Sequence, residues 1–223
     1  MLERDRRATG NGTAVEATQG KRAIPAQRSL QEYSVAAISG TIGVGLVADS
    51  TLFSMKYSFA TSNRAFIERV RIQCTTIAGF LVPITAGRSL ILTRGWGGAT
   101  NPSGGTSVPI LPKMNSLSSP SGFDELNTGD VRVAATVGLT TVGVTFDTAA
   151  IRVMSLTHVG TAGSFFEEII EFNPAAGSAP LVIEPGQLFA IRNTQAFELL
   201  AGTFTVGINV AWREVSEFVD DQF

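Results

Sequence analysis

The chain has 223 residues, a formal net charge of −2 at pH 7 and only 16% charged residues, which argues against a basic nucleic-acid surface and against an acidic disordered chain. Its single cysteine and single histidine, Cys74 and His158, exclude an internal disulfide framework and a zinc site built from these two residue types. No apolar run reaches the roughly 18 residues of a membrane helix, so we expect no membrane partner and no nucleic-acid partner.

Residues 1–30 predict an extended N-terminal arm that precedes a single domain at 31–223. The arm shows neither the period of 2 typical of strands nor the period of 3.6 typical of helices. Its residues 1–28 hold six Lys or Arg and three Asp or Glu, a local charge of +3. The basic positions of interest are Arg4, Arg6, Arg7, Lys21 and Arg22. They either bind a partner or belong to a solvated tail.

Alternation and apolar runs predict strands through the first part of the domain. The segments are 33–48, 51–60, 65–75, 78–85 and 88–94. Residues 51–60 alternate between an apolar side and a polar side, as a half-buried strand does. The Thr61-Ser62-Asn63 turn then predicts a hairpin with residues 65–75, and Ala86-Gly87 predicts a second pair of strands.

The strand predicted at 65–75 separates charged from apolar residues. Arg69 and Arg71 share a face with Ile67, while Phe66 and Cys74 share the opposite face. Two adjacent cations suit an anion or a protein partner, and an arginine-bearing solvent face is the commoner alternative. Cys74 is most simply a small buried hydrophobic residue.

Residues 95–130 interrupt the strand pattern with a run dense in Gly, Pro, Ser and Asn. A loop of this length in a compact domain is usually functional or held by a partner. Trp96 stands beside glycines, and Val108–Leu111 is an extended segment between prolines, suited to pairing with the edge of a neighbouring chain. The candidate contact residues in this loop are Trp96, Val108, Ile110 and Lys113.

The remaining residues return to regular strand patterns. Further strands are predicted at 131–137, 141–146, 151–156 and 165–172. Pro185-Gly186 predicts a tight turn between strands at 181–183 and 188–191. From Phe204 to Trp212 every second residue is apolar, which indicates the core face of another strand. These last three strands are predicted to form one antiparallel unit.

The strand count and the turns together predict an all-β fold. About ten to twelve short strands, glycine-rich turns and no βαβ alternation are typical of a jelly-roll-like two-sheet antiparallel sandwich. The open edges of such a sandwich favour pairing with another chain.

Residues that could carry catalysis are few. His158 stands alone, and no G-x-S-x-G nucleophile motif accompanies it. Glu167 and Glu171 share one face of a strand and Glu168 lies on the other, a pattern that more simply separates solvent from core than forms a glycosidase pair. The loop acids lack the spacing of an EF-hand. We therefore predict no enzymatic activity, no metal site and no cofactor.

One motif carries a resemblance. The run Gly104-Gly105-Thr106-Ser107-Val108-Pro109, followed by Pro112-Lys113-Met114-Asn115 and Ser119-Pro120, is similar to a GGT..TPVK.DS..P pattern. A strand like Val206–Glu214, after a turn like Glu184-Pro185-Gly186, accompanies that pattern in a group of tailed-bacteriophage virion proteins. Residues 88–215 resemble this group. The resemblance implies a structural virion component, such as a capsid decoration or cement protein.

From the resemblance and the residues we expect a homo-oligomer, with a trimer favoured, on the capsid exterior. Its partner would be the major capsid protein or a neighbouring virion subunit. The expected contact residues are Arg4, Arg6, Arg7, Lys21, Arg22, Trp96, Val108, Ile110 and Lys113. An alternative is a tail fibre, collar or baseplate protein, in which Trp96 and Tyr57 stack on host carbohydrate. A further alternative is a cellular binding module with a jelly-roll fold.

Overall fold

The computed structural model describes residues 31–43, 45–58, 60–61, 63–79, 89–98, 100–112, 120–124, 129–155, 161–172, 179–196 and 202–216. These residues contain thirteen β-strands. None of them lies in a helix long and apolar enough to cross a membrane. The strands are β1 (Gln31–Ile38), β2 (Thr51–Lys56), β3 (Asn63–Ala78), β4 (Ser89–Gly97), β5 (Thr106–Ser107), β6 (Leu111–Pro112), β7 (Asp130–Val133), β8 (Val144–Phe146), β9 (Arg152–Ser155), β10 (Phe165–Glu171), β11 (Leu181–Ile183), β12 (Leu188–Asn193) and β13 (Thr203–Ser216).

The strands form two antiparallel sheets that pack face to face. Sheet A has the order β10-β3-β13-β1-β6, with β11 also paired to β3. Sheet B has the order β5-β7-β2-β12-β4-β8, with β9 also paired to β4. Pairing is nested along the chain, because β1 pairs with β13, β2 with β12, β3 with β10 and β4 with β9. This is the double Greek key of a jelly roll, so the predicted fold class is confirmed.

The core lies between the sheets and follows the period of two. In β13 the residues from Phe204 to Trp212 alternate as predicted: the apolar ones are at most 3% exposed, and Thr205, Gly207 and Asn209 between them are partly exposed, whereas Ala211 is also buried. Tyr33 of β1 stacks on Trp212 with ring centroids 5.7 Å apart, and Phe123 meets the same indole edge-on at 5.3 Å. Cys74 is buried, as predicted.

A β-bulge at Glu68 changes the face pattern within β3. Arg69 lies opposite Ala211 of β13, and Ile67 lies opposite the next residue, Trp212. Glu68 therefore has no opposed residue in β13 and is the inserted residue of the bulge. Ile67 is therefore fully buried, and Phe66 lies on the outer side, where the Arg213 guanidinium covers its ring at 5.5 Å. The predicted faces of Phe66 and Ile67 were wrong, because an unbroken period of two does not anticipate an inserted residue.

Two predicted hairpins are crossings between the sheets. β2 belongs to sheet B and β3 to sheet A, so they do not pair. The Pro185-Gly186 turn forms as expected, with Gly186 at φ 81°, but it leads from β11 in sheet A to β12 in sheet B. The predicted unit of β11, β12 and β13 therefore does not exist. A turn motif predicts where the chain reverses and not which sheet receives the next strand.

Other predicted boundaries also differ. β1 ends at Ile38, so the predicted strand at 33–48 is much shorter, and β7 ends four residues before the predicted 137. β4 corresponds to the second strand of the pair predicted around Ala86-Gly87, while residues 80–88, which hold that turn and most of the first strand, lie outside the described residues. The central loop contains two short strands, of which β5 pairs with β7 and β6 pairs with β1. β10 is the strand that was predicted at 165–172.

Candidate binding surface

Among the described residues, the outer face of sheet A is exposed in a band that crosses β10, β3, β13 and β1. The register aligns Glu167, Gln73, Gly207 and Ile38 in one row from β10 to β1. The next row aligns Ile169, Arg71, Asn209 and Ala36. Directly opposed residues of antiparallel strands project from the same face. These eight residues, together with Phe165 and Arg69, are called the sheet A outer face below.

Opposite charges on this face lie on neighbouring strands. Glu171 of β10 lies directly opposite Arg69 of β3, while Glu167 lies diagonal to Arg71, whose direct partner is Ile169. The Arg71 guanidinium forms an ion pair with the Glu167 carboxylate, and both side chains are substantially exposed. Exposed pairs contribute only about 0–1 kcal/mol to stability. The predicted common face of Arg69 and Arg71 is confirmed, and their value to the fold itself is small.

Large apolar side chains stand on the same face without cover. Phe165 is 63% exposed, Ile169 is 56% exposed and Ile38 is 74% exposed. Between them Gly207 leaves a shallow depression, whose rim includes Arg71, Asn209 and Ala36. Apolar residues gathered on one polar-rimmed surface mark a site of protein contact more often than isolated apolar residues do.

Over β2 and β7, the outer face of sheet B is covered by the central loop. The Lys56 side chain of β2 is only 2% exposed, and its ammonium donates to the carbonyl oxygens of Gly98 at 2.5 Å and Thr100 at 2.9 Å. Asp130 of β7 lies opposite Lys56 in the register. Burial lowers the pKa of Lys56, and the charge of Asp130 acts in the opposite direction. A buried cation thus holds the loop on the sheet.

The same loop is held at further points. Arg132 donates through Nη1 to the Gly104 carbonyl at 3.1 Å and through Nε to Asp130 Oδ2 at 2.6 Å. Ser103 and Thr140 exchange backbone hydrogen bonds of 3.0 and 2.9 Å. As a result β2 is buried at all six positions, and the predicted polar, solvent-facing side of this strand was wrong.

A buried carboxyl group fixes the other end of the loop inside the sandwich. Glu214 is 3% exposed, and its Oε1 accepts hydrogen bonds from the Ser121 hydroxyl, from the Gly122 N–H at 3.0 Å and from the Trp212 indole N–H at 3.1 Å. Residue 122 must be glycine, because a Cβ there would lie 2.3 Å from the Tyr57 ring.

Burial dominates the electrostatics of this cluster. It raises the pKa of Glu214, while the hydrogen bonds from Ser121, Gly122 and Trp212 oppose the rise. Burial and the nearby Glu214 raise the pKa of Tyr33 to about 12 and also raise the pKa of Tyr57. Both phenols therefore stay protonated at physiological pH. These side chains are at most 3% exposed, so the cluster positions the loop and does not meet a ligand.

Two of the acidic side chains considered for catalysis, Glu167 and Glu168, take part in ion pairs. Glu167 pairs with Arg71, and Glu168 Oε1 accepts from Arg152 Nε at 2.8 Å, which joins the edges of the two sheets. Within the described ranges, no three His, Cys, Asp or Glu side chains are close enough to hold a metal ion. His158 lies outside the described residues.

The predicted contact residues are dispersed. Trp96 is 48% exposed at the end of β4. Val108 and Ile110 are half-buried and pack against the core, and the Val108 N–H donates to the Val131 carbonyl at 2.9 Å. Tyr57 is fully buried, so its expected role as a carbohydrate platform was wrong. Outside the described residues lie Arg4, Arg6, Arg7, Lys21, Arg22 and Lys113.

The sequence interpretation did not anticipate the sheet A outer face or the two buried charges. The alternation of Phe165 and Ile169 with Glu167 and Glu171 was a usable signal, because it places exposed apolar residues on a charged face. Glu214 also follows Trp212 by two residues and so continues the core side of β13.

No protein-family model matches the chain, and no curated protein matches it. Among solved structures, the chain is similar to one in the structure of infectious bursal disease virus Gx strain, with 13% sequence identity and a TM-score of 0.18. The similarity covers 87% of this chain and 43% of the viral chain, so this chain spans less than half of that protein. A TM-score this low does not indicate a shared fold.

Proposed function

We propose that the protein is a non-enzymatic structural component of a bacteriophage virion. It binds and stabilises the capsid as a decoration or cement protein, and its partner is the major capsid protein or a neighbouring virion subunit. The observation that carries the proposal is the sheet A outer face, on which Phe165, Ile169 and Ile38 are each more than half exposed. The resemblance of residues 88–215 to phage virion proteins supports the same function.

The shape and rigidity of this surface suit a shell-binding protein. Specific protein interfaces bury roughly 800 Å² on each partner, and a face of four neighbouring strands provides a broad, continuous platform. The packed core behind it holds the backbone in place, so little conformational entropy is lost when a partner binds. The charged residues of this face, Arg69 opposite Glu171 and the ion pair of Arg71 with Glu167, provide orientation, because charged groups contribute more to specificity than to affinity.

Capsid co-sedimentation tests the proposal. Ile169→Asp places a charge on the sheet A outer face, and Val153→Asp places the same charge on sheet B, where Val153 is 60% exposed. We expect Ile169→Asp to lower affinity for capsids of the same phage at least tenfold, whereas Val153→Asp binds like the wild type. Both variants should fold, because both side chains already face solvent. Equal binding by both variants, or no binding by the wild-type chain, would contradict the proposal.

Trp96 favours a second candidate function, carbohydrate binding within a tail fibre, collar or baseplate. It is the half-exposed tryptophan at the end of β4, opposite Thr145 of β8. An exposed indole provides the apolar ring face on which a sugar can stack. Glycan-array binding that disappears in Trp96→Ala and persists in Ile169→Asp would favour this function over capsid binding.

A further inference from the structure

Gly207 lies in the middle of β13, on the sheet A outer face, and the fold does not require a glycine there. Its backbone is that of an ordinary strand, without a positive φ. The heavy atoms nearest to a Cβ at this position would be those of Gln73, at 3.7 Å or more, which is ordinary van der Waals contact. At Gly122 a Cβ would lie 2.3 Å from the Tyr57 ring. Packing within the chain therefore explains the glycine at 122 and does not explain the glycine at 207.

A glycine inside a strand weakens the strand unless it serves another purpose. Glycine loses more conformational freedom on folding than other residues and adds no side chain to pack. Such a glycine often marks a bulge or a place where another molecule approaches the backbone closely. The register of β13 shifts at Thr203/Phe204 and at Ala211/Trp212 but not at Gly207, so no bulge lies there. Close approach of a partner is the remaining reason.

The surroundings of Gly207 indicate which kind of group fits. Directly opposite it lie Ile38 of β1, which is 74% exposed, and Gln73 of β3. Arg71 and Asn209 follow in the next row. The depression thus has an apolar side and a polar side, and its volume of about 310 Å³ lies near the lower limit of roughly 300 Å³ for ligand pockets. It suits one large side chain with an apolar body and a polar end.

Tyrosine and tryptophan have this chemistry. Aromatic side chains that cover a strand glycine stabilise a sheet, and neither residue opposite Gly207 is aromatic. The guanidinium of Arg71, whose side chain is 53% exposed, can stack on the face of a ring. The amides of Gln73 and Asn209 can form hydrogen bonds with a phenol or an indole. An aliphatic group would leave these polar groups without such bonds.

We propose that the depression over Gly207 receives one tyrosine or tryptophan side chain of the virion protein that the sheet A outer face binds. The glycine then determines which partners fit, because a side chain at position 207 would occupy the place of the ring. Aromatic anchors in well-packed pockets account for much of the binding energy in protein complexes. This inference rests on the proposed function and adds the chemistry of one contact to it.

Filling the depression tests the proposal through two measurements that should change in opposite directions. Gly207→Ala and Gly207→Val should raise the urea midpoint of unfolding, because a Cβ fits and glycine weakens a strand. In capsid co-sedimentation we expect affinity to fall about threefold for Gly207→Ala and at least about tenfold for Gly207→Val, as loss of an anchor does. Gly43→Ala is the matched control, since a Cβ there would lie 4.0 Å from Thr203 Cγ2, outside the depression. It should bind capsids like the wild type.

A small probe tests the aromatic chemistry without capsids. N-acetyltyrosinamide should shift the backbone amide signal of Asn209 in NMR titrations of the wild type and of Gly43→Ala. The same probe should leave that signal unchanged in Gly207→Val. N-acetylleucinamide at equal concentration should shift it less in the wild type. Equal shifts by the two probes, or no shift by either, would overturn the choice of an aromatic occupant.

The capsid measurements distinguish failure of this inference from failure of the proposed function. Unchanged affinity in Gly207→Val, with weakened binding by Ile169→Asp, would overturn the contact at Gly207 and leave capsid binding intact. A lower urea midpoint in Gly207→Ala would show that the glycine serves the fold, and this too would overturn the inference. Equal binding by Ile169→Asp and Val153→Asp would contradict the proposed function, and the inference would fall with it.

Discussion

The outer faces of the two sheets differ in how far the protein's own chain covers them. At β2, sheet B is covered by its own chain, with Lys56 buried against the carbonyl oxygens of Gly98 and Thr100. On sheet A, no described segment covers Ile38 and Ile169, which are more than half exposed. Both faces contain basic side chains, yet on sheet B they fasten a loop and on sheet A they lie in exposed ion pairs.

This difference separates the structural role of the central loop from the binding role proposed for the sheet A outer face. The central loop looked like a contact element in the sequence, because such loops are usually functional or held by a partner. In its described parts the holding groups come from the same chain, through Lys56, Arg132 and Glu214. The proposed binding surface is instead the regular sheet A, whose outer residues lie on strands that neighbour each other in the sheet but are far apart along the chain.

The largest expected effect comes from the core that both sheets share. Trp212→Ala removes the indole that stacks on Tyr33 and donates to Glu214, so it should cost about 3–5 kcal/mol of unfolding free energy. Trp96→Ala is the matched control and should change stability by no more than about 0.5 kcal/mol. Urea denaturation measures both variants. Similar losses would show that Trp96 also belongs to the core.

Removing the buried cation Lys56 should release the central loop from the outer face of sheet B. Lys56→Met retains the length of the side chain but leaves two loop carbonyls without their donor and Asp130 without the facing charge, so we expect a loss of about 2–4 kcal/mol. Hydrogen exchange across residues 98–104 should increase more than exchange in sheet A. Uniform exchange with unchanged stability would show that Lys56 does not hold the loop.

Glu214 should make stability depend on pH in a predictable direction. Its pKa is raised in the folded state, so the protonated form contributes stability that is complete below the unfolded pKa of about 4.3 and is lost as pH rises through the folded pKa. Glu214→Gln cannot ionise, and in that window its unfolding free energy should fall less with rising pH than that of the wild type. Urea titrations at several pH values measure the difference. Parallel pH profiles would contradict it.

The smallest effect is expected on the bare face. Arg71→Met breaks the exposed ion pair with Glu167 and should change stability by no more than about 1 kcal/mol. Arg71→Met and Lys56→Met both replace a cation with methionine, so their losses of unfolding free energy compare an exposed cation on sheet A with a buried cation on sheet B. Urea denaturation measures the unfolding free energy of both variants. A loss in Arg71→Met as large as that in Lys56→Met would show that Arg71 also stabilises the fold.

The sequence predicted features that depend on local alternation. β13 and β10 lie where they were expected, because one side of each strand is apolar and a period of two is readable without knowing the partner strand. The fold class followed from the same reasoning, since many short strands without helices have few ways to bury one apolar face.

Features that depend on distant partners were not predictable in this way. The turn at Gly186 was identified, but the change of sheet across it was not, because turn geometry does not specify which strand comes alongside. The bulge at Glu68 was missed because nothing in its neighbours' polarity marks an inserted residue. Lys56 was counted on the solvent side because its burial comes from loop residues more than forty positions away.

The nested pairing of the strands has a consequence for biosynthesis. Gln31, at the start of β1, lies opposite Glu214 near the end of β13, so the centre of sheet A cannot form until all the intervening strands and β13 itself have left the ribosome. Contacts so remote along the chain slow folding, and the waiting strands expose apolar edges on which newly made molecules can aggregate. High-level expression should therefore yield more native protein at reduced temperature or with chaperones that shield nascent β-strands.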